Sequence, residues 1–437
     1  MLRSTARPLL NSTINARPSC REYHLIKHGS RPVRPGSLPN RVCSAGMATD
    51  CAGWHLLGTP REELRLEHTL PTGQSFRWRE TGDDEYIGVI GQRVVQIRQL
   101  EDDVAWRIIG RAPQAAEAED TAVLADYFNL STPLADLVRT WSASCDHFAR
   151  IQPYFQGARM LRQDPTETLF QFLCSSNNHI SRIHGMVERL CSGWGTRLPL
   201  TRSDEYGGPA HHAFPTLDQL AAVSEADLRA AGFGYRARFV TGSVARLRAL
   251  GGEAWLATLR AGPPDVAVAA LCTLPGVGPK VAACAALFSL DAHALVPVDV
   301  HVLALATRHY LPALRGKALT PALHAQVQAA FVARFGAHAG WAHNTLFISE
   351  LARYRGRVPG TTRAEEVLLA RGSEVAEEVD AGPDACARVV GMDGSDASTG
   401  KGGRARRKRK GGAASVASSL VEEQMELAPT TPPQAAA

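Results

Sequence analysis

A glycine-rich break between two apolar segments limits the folds open to this chain more than any other feature. The break and its flanks read LPGVGPKVAACAALFSLDAHALVPVD, from Leu274 to Asp299. Pro275 cannot continue a preceding helix, whereas Pro279 suits the first turn of a following one. The pattern predicts two helices joined by a short hairpin.

The hairpin has a composition that suits either an anion site or a plain turn. Because Gly276 and Gly278 lack side chains, the amides of Gly276, Val277 and Gly278 can approach a phosphate closely, together with the N-terminus of the second helix. Asp265 is expected to cap the first helix. A purely structural helix–turn–helix would have the same composition, so the hairpin alone does not distinguish the two interpretations.

Lys280 opens the second helix within an otherwise apolar segment. The positive end of a helix disfavours an ammonium group, and Ala283, Cys284 and Leu287 share its helix face. Both effects are expected to lower the pKa of Lys280. A neutral lysine can attack a sugar carbon and form a Schiff base. The alternative is a lysine that extends its charged end into solvent.

Asp299 follows an extended VPV segment and precedes the helical pattern VHVLALATRHY. By itself this aspartate is typical of a helix N-cap. A carboxylate at this point can also stabilise a cationic sugar transition state and accept the proton of an attacking amine. Lys280 and Asp299 together therefore predict a catalytic centre.

The hydrophobic periodicity changes along the chain. Segments between residues 54 and 114 alternate apolar and polar residues, as half-buried antiparallel strands do, whereas residues 164–354 show the three- and four-residue spacing of amphipathic helices. The predicted fold class is α+β. An antiparallel β-rich N-terminal domain is expected over residues 51–156, followed by an all-helical domain with the hairpin motif over residues 157–360.

The two ends differ from the middle in composition. Residues 1–50 carry eight Lys or Arg against two acids, which indicates an organelle transit peptide or a disordered basic tail, and Met47 offers a second start. Residues 361–437 are rich in Gly, Ala, Ser and acids, and should be disordered. Their segment KGGRARRKRK at 401–410 is either a nuclear import signal or a patch that adds affinity for polyanions.

Composition excludes several classes of protein. The nine cysteines are odd in number and form no CxxC arrangement, which argues against a disulfide scaffold, a zinc ribbon or an iron–sulfur cluster. We expect no metal and no cofactor. No apolar run reaches the roughly 18 residues of a membrane span. The net charge of +5 permits an acidic partner such as nucleic acid without requiring one.

The segment LPGVGPKVAAC followed by VPVDVH resembles the helix–hairpin–helix, Gly/Pro-rich, Asp (HhH-GPD) motif of base-excision DNA glycosylases, in the bifunctional branch that carries a lysine. Three further segments are similar to eukaryotic 8-oxoguanine DNA glycosylases: LPTGQSFRW at 70–78, FLCSSNNHISRI at 172–183 and GFGYRARFV at 232–240. The resemblance implies an enzyme that flips 8-oxoguanine opposite cytosine out of duplex DNA, removes it through a lysine Schiff base, and cleaves the strand by β-elimination.

The resemblance also implies roles for single residues. Lys280 matches the Schiff-base nucleophile and Asp299 the catalytic aspartate. Gly73 matches a glycine whose main-chain carbonyl accepts the N7 hydrogen that 8-oxoguanine has and guanine lacks. The other residues matched to base recognition are Cys284, His343 and Phe347. Those matched to DNA or to the opposite cytosine are Asn177, Arg182, Tyr235, Arg236 and His301, with Gly276, Val277 and Gly278 in the phosphate hairpin.

Four positions depart from the family pattern. His343 stands where the family usually has glutamine, and an imidazole offers a single hydrogen bond to a base edge where an amide offers two. Glu350 replaces an aspartate and is expected to orient His301 less well. Ala283 replaces an acid, and His179 replaces an asparagine. These departures leave the substrate range open, but they do not touch the lysine or the catalytic aspartate.

Two alternatives to this function remain at the level of sequence. One is a noncatalytic damaged-DNA-binding protein, and the other is a glycosylase of the same fold with another damaged-base specificity. The expected partner is double-stranded DNA containing 8-oxoguanine, bound by a monomer. A nuclear import receptor is expected to bind residues 401–410, and the localisation is expected to be the nucleus, with a mitochondrion or plastid as a further address through residues 1–50.

Overall fold

The computed structural model describes residues 53–201, 208–354 and 356–359. The basic leader over residues 1–50 and the cationic segment at 401–410 lie outside these ranges, so their predicted roles stay predictions.

The N-terminal part of the chain forms one antiparallel sheet, as the alternating pattern predicts. Its strands lie in the order β1-β5-β4-β3-β2. Strands β3 and β4 pair from Ile90 with Arg93, so a two-residue turn joins them, and Gly91 adopts the positive φ of 54° that such turns favour. The strands are β1 His55–Leu56, β2 Trp78–Gly82, β3 Glu85–Ile90, β4 Arg93–Gln99 and β5 Val104–Arg111.

Helices make up most of the remaining described chain, with a small two-stranded sheet of β6 Arg197–Leu198 and β7 His211–His212 among them. The helices before residue 200 are α1 Leu66–Thr69, α2 Asp120–Tyr127, α3 Leu134–Ser144, α4 Asp146–Ile151, α5 Pro165–Leu173 and α6 Ile180–Trp194. The later helices are α7 Leu217–Ala221, α8 Glu225–Ala230, α9 Ala237–Leu250, α10 Glu253–Ala261, α11 Pro264–Leu271, α12 Pro279–Ser289, α13 Val300–His309, α14 Pro321–Phe335 and α15 Ala339–Glu350. The α+β prediction is confirmed.

The helical core extends into the range predicted as β-rich. Leu134 and Trp141 of α3 and Phe148 of α4 are buried in the same cluster as the side chains of the later helices. The sheet has its own cluster, which includes Trp78 and Trp106. The domain boundary predicted at residues 156 and 157 stays a prediction.

The start of α11 corrects one detail. Its N-cap is Pro263, and the helix begins at Pro264, so Asp265 lies inside the first turn and is not the cap. The fixed φ of Pro264 suits a first helical position. The carboxylate of Asp265 still faces the positive end of the helix, where it is favoured.

Neither a membrane-spanning helix nor a group of metal ligands is present among the described residues. None of the helices there combines the length and the hydropathy that a membrane span needs. No three His, Cys, Asp or Glu side chains of these residues are grouped so that they could hold a metal ion.

Candidate active site

One of the two glycines in the hairpin between α11 and α12 stands where a side chain would not fit. Gly276 has a φ of +78°, and a Cβ there would lie 2.4 Å from Cγ of Phe239. Gly278 has a φ of −96° and caps α12 in an extended conformation that any residue can adopt. Val277 is buried between them. Close approach of the hairpin backbone to a neighbour is therefore established at Gly276 alone.

Lys280 occupies the first turn of α12, directly after Pro279. Burial lowers the pKa of its amine, but the neighbouring Cys284 sulfur and the Asp299 carboxylate raise it further, and the pKa ends above its ordinary value. The expected lowering is therefore wrong. Helix position and apolar neighbours were visible in the sequence, whereas the approach of Asp299 was not. Lys280 is an ammonium at neutral pH in the protein without DNA.

Cys284 lies one helical turn after Lys280 and is buried. Burial raises the pKa of its thiol to about 11, although the ammonium of Lys280 acts in the opposite direction. The sulfur is therefore a neutral thiol at pH 7. A neutral, polarisable group of this kind can pack against an aromatic ring.

Asp299 serves as the N-cap of α13 and also lies beside Lys280. Its Oδ1 accepts hydrogen bonds from the backbone N–H groups of His301 and Val302, both at 3.0 Å. Its charge also raises the pKa of Lys280. The N-cap interpretation is thus confirmed, and the cap holds the carboxylate within electrostatic range of the amine, whereas the catalytic role stays a prediction.

His343 lies on α15 and faces the same centre. It is 6% exposed, and neither ring nitrogen has a hydrogen-bond partner. Burial lowers its pKa to about 4, while Asp299 acts to raise it and Lys280 to lower it, which places the imidazole near both groups. Its ring lies 5.8 Å from that of Phe331 and 5.9 Å from that of Phe347. The imidazole is neutral and has unused hydrogen-bonding capacity.

Gly73 lies in the loop between α1 and β2, with a φ of +85°. A Cβ there would lie 3.3 Å from Cδ1 of Ile180, so the loop packs against the start of α6. The side chain of Gln74 holds this loop in place by hydrogen bonds. Its Nε2 donates to the carbonyls of Thr69 and Arg159 at 3.0 and 2.9 Å. This role of Gln74 is not evident from local sequence pattern, although the residue follows Gly73 in the LPTGQSFRW segment.

The residues matched to the opposite cytosine divide into exposed and buried ones. Asn177 and Arg182 are exposed, Asn177 has a φ of +46°, and Tyr235 is 44% exposed. Arg236 is only 3% exposed, because its guanidinium donates to the carbonyls of Ser176 and Asn177, the latter at 3.0 Å. In this structure Arg236 holds the loop that carries Asn177.

Two of the departures from the family pattern have partners of their own. The imidazole of His179 caps α6, where Nδ1 accepts from the backbone N–H of Arg182 at 3.4 Å. Glu350 accepts two hydrogen bonds from Arg308, at 3.1 and 3.5 Å. Its carboxylate is thus bound to Arg308 and not to His301, which agrees with the expectation that Glu350 orients His301 less well.

Comparison with known proteins identifies the family. Residues 56–169 match the family model of the 8-oxoguanine DNA glycosylase N-terminal domain, and residues 170–320 match that of the HhH-GPD superfamily base excision DNA repair proteins. Over 300 residues the chain is 48% identical to the N-glycosylase/DNA lyase OGG1 of Arabidopsis thaliana, across 68% of this chain and 80% of the relative. The chain belongs to the 8-oxoguanine DNA glycosylase family.

Further relatives of this 8-oxoguanine DNA glycosylase family member agree. The N-glycosylase/DNA lyase of Saccharomyces cerevisiae is 33% identical over 335 residues, which cover 69% of this chain and 87% of the relative. The structure of MBOgg1 with a low-affinity DNA ligand gives a TM-score of 0.59 at 27% identity, over 68% of this chain and 93% of that one. The structure of the 8-oxoguanine glycosylase/lyase of Clostridium acetobutylicum, with DNA containing cytosine opposite 8-oxoguanine, gives a TM-score of 0.57 at 26% identity. The match covers 65% of this chain and 91% of that one.

Proposed function

We propose that this protein is a base-excision repair enzyme that removes 8-oxoguanine opposite cytosine from double-stranded DNA and then cleaves the strand as a lyase. Family membership supports the activity, since the Arabidopsis and yeast relatives are N-glycosylase/DNA lyases. The observation that carries the assignment to residues is the desolvated amine of Lys280 beside the capping carboxylate of Asp299. A noncatalytic DNA sensor would have no use for such a pair.

Binding begins at the phosphate backbone. The amides of the Gly276–Gly278 hairpin and the start of α12 offer donors to a phosphate, and such contacts position DNA without reading its sequence. The target nucleotide must leave the stack before its glycosidic carbon can be reached, at a cost of a few kcal/mol. Asn177 and Tyr235 are exposed and can fill the space that the nucleotide leaves, and Arg182 in the first turn of α6 is exposed as well.

Recognition of the extruded base rests on Gly73. A carbonyl that accepts the N7 hydrogen of 8-oxoguanine would face the N7 lone pair of guanine, and a lost hydrogen bond of this kind is worth about 1–3 kcal/mol. Cys284 and Phe347 offer a thiol and a ring face for the purine, and His343 offers one hydrogen bond to its Watson–Crick edge. His301, at the first turn of α13, is proposed to contact the lesion phosphate.

The chemistry requires the amine to lose a proton first, because Lys280 begins as an ammonium. The freed lone pair attacks C1′ and the glycosidic bond breaks, so the base departs with the bonding electrons and takes up a proton. Opening of the sugar ring then gives an imine between Nζ and C1′. Loss of a C2′ proton expels the 3′ phosphate by β-elimination. Asp299 stabilises positive charge on the sugar and relays the protons.

Borohydride trapping tests this proposal. Lys280 and Lys317 are the two lysines in the described ranges, and Lys317 is exposed, which makes Lys317→Gln a matched control for Lys280→Gln. On a duplex with 8-oxoguanine opposite cytosine, we expect a reduced covalent adduct with the wild type and the control, and none with Lys280→Gln. Tight binding by the wild type without adduct or base release would support the sensor and contradict the enzyme.

We also propose that the enzyme acts as a monomer in the nucleus, and in a mitochondrion or plastid when residues 1–50 are retained. Seven cationic residues at 401–410 support binding of a nuclear import receptor, and the basic, Ser- and Thr-rich leader supports an organelle address. Fluorescent fusions test the two addresses. One carries the full chain, the second starts at Met47, and the third has the cationic residues of 401–410 neutralised. Unchanged distribution in all three would contradict the proposal.

A further inference from the structure

Helix α9 connects two regions that the proposed function uses separately. At its N-terminus lies the short 3-10 turn Gly234–Arg236, which carries Tyr235 and Arg236 and leads directly into α9. One to two turns further on, the same helix passes under the hairpin that precedes Lys280. A single rigid element therefore contacts both the loop proposed to read the opposite base and the loop proposed to hold the phosphate.

The contacts at the opposite-base end are hydrogen bonds to main-chain carbonyls. The hydroxyl of Tyr235 donates to the carbonyl of Ser176 at 3.1 Å. Arg236 donates to the carbonyls of Ser176 and Asn177. These bonds join the loop that carries Asn177 to the residues that begin α9, and buried charged donors such as Arg236 are costly to leave unpaired.

The contacts at the hairpin end are steric and polar. The ring of Phe239 fills the place where a side chain of residue 276 would stand, with Cγ 2.4 Å from the Cβ position of Gly276. The Cβ position of Gly242 lies 3.1 Å from the Pro275 ring. The hydroxyl of Ser243 donates to the carbonyl of Pro275 at 2.9 Å. The hairpin backbone is therefore seated on α9.

Phe239 contacts both ends at once. Its ring meets that of Tyr235 edge to face, with centroids 6.0 Å apart and planes at 82°. Its Cβ, Cγ and Cδ2 atoms lie against the hairpin at Gly276. Val240 and Val244 of the same helix are buried in the helical core, so α9 cannot easily deform between the two ends.

We propose that Phe239 is a positioning residue through which the base opposite the lesion controls the hairpin, and with it the placement of Lys280, so that cytosine accelerates the chemical step itself. This inference rests on the proposed function. A cytosine held by Asn177 and the Arg236 turn would fix Tyr235, and Phe239 would then fix Gly276, four residues before the amine. Small misplacements are enough, since an error of about 1 Å at a reacting group can slow a reaction about 100-fold.

Single-turnover excision rates at saturating enzyme test the inference. The measured quantity is the ratio of the rates for 8-oxoguanine opposite cytosine and opposite adenine. We expect Phe239→Ala to lower this ratio by about 3- to 30-fold, the range that residues along a coupling network produce, mainly through a slower reaction opposite cytosine. Phe239→Tyr keeps the ring and should keep the ratio. Ser243→Ala opens no large cavity and should lower the ratio by about 2-fold.

Val244→Ala is the matched control, because it truncates a buried side chain of the same helix five residues after Phe239. It should lower the melting temperature and leave the ratio unchanged. A double-mutant cycle adds a second readout: after Asn177→Ala, the change Phe239→Ala should alter the ratio little further.

Two results would overturn the inference. In one, Phe239→Ala and Ser243→Ala slow excision opposite cytosine and opposite adenine equally, so that the ratio stays unchanged. Helix α9 would then stabilise the hairpin without responding to the opposite base. The other is full additivity in the cycle with Asn177→Ala. Failure of the proposed function is a separate outcome, since the wild type would then excise nothing from either duplex.

Discussion

The proposed catalytic pocket and the loop proposed to read the opposite base, which carries Asn177, differ in their exposure to solvent. Burial raises the pKa of the Cys284 thiol, and the pKa of Lys280 is set by burial and by the opposing effects of Cys284 and Asp299. Both ring nitrogens of the buried His343 lack hydrogen-bond partners. Asn177 and Arg182 stand in solvent. The side chains of the pocket are thus packed into the protein, whereas those of the loop stay accessible to a duplex that covers them.

The largest expected effect is at Asp299, in the buried pocket. The change Asp299→Asn keeps an oxygen that can accept the two backbone N–H groups of α13, so the fold should survive. The charge beside Lys280 is lost, and single-turnover excision should fall at least about 100-fold. DNA affinity, measured in parallel, should change little. Undiminished excision would remove this aspartate from the proposed chemistry and, with it, the contrast between pocket and loop.

A second prediction concerns the buried imidazole of His343. Its pKa is near 4 in the folded protein and about 6.5 in an unfolded chain, so the unfolded state binds more protons between these values. The contribution to stability is therefore complete above pH 6.5 and is lost as the pH falls toward 4. Between pH 7 and pH 5 the wild type should lose about 2 kcal/mol of unfolding free energy that His343→Gln does not lose. Urea denaturation of both proteins at the two pH values measures this, and parallel losses would contradict a buried neutral imidazole.

A third prediction compares two glycine substitutions, one in the hairpin and one outside it, that impose the same backbone strain. Gly276 and Gly316 have nearly equal φ values of +78° and +77°, but a Cβ would strike Phe239 at the first position and nothing within 4 Å at the second. Gly276→Ala should weaken binding to damaged and undamaged duplexes alike, by about 10-fold, because phosphate contacts are independent of sequence. Gly316→Ala carries the same strain and should bind normally. A loss confined to 8-oxoguanine duplexes would show that the hairpin does not bind phosphate.

The smallest expected effect is a gain. His343→Gln restores an amide that can make two hydrogen bonds to a base edge in place of one. One additional hydrogen bond is worth about 1 kcal/mol, so kcat/KM for 8-oxoguanine opposite cytosine should rise about 5-fold. Cleavage of a strand with an abasic site, which has no base to contact, serves as the control and should not change. A fall in kcat/KM would indicate that the pocket is shaped for the imidazole.

Local pattern predicted much of this fold. Within the alternating range, residues 55–56 and most of 78–111 became the sheet, whereas Leu66–Thr69 became helix α1 and the residues up to Arg77 a loop. The PGVG break became a hairpin between α11 and α12, because turn chemistry and periodicity act over a few residues. The predicted direction of the Lys280 pKa is wrong, because the effect of burial, which lowers the pKa, is exceeded by the combined effects of the Cys284 sulfur and the Asp299 carboxylate, and Asp299 approaches only in the folded chain.

The missed contacts share the same cause. Arg236 and Glu350 were assigned from a motif, yet the structure pairs the first with main-chain carbonyls and the second with Arg308. Phe239 stands in the GFGYRARFV segment, but its contact with Gly276 has no signal in that segment. Phe239 and Gly276 are far apart in the sequence and meet only in the folded chain, so no local spacing reveals their contact.

Peptide mapping of the borohydride-reduced complex identifies the amine that reacts with the sugar, on which the whole proposed chemistry rests. We predict that tandem mass spectrometry finds the deoxyribose remnant on the ε-nitrogen of Lys280, in a peptide that trypsin no longer cleaves at that lysine. A remnant on Lys317 or on the N-terminal amine, with Lys280 unmodified, would contradict the assignment of Lys280 as the nucleophile.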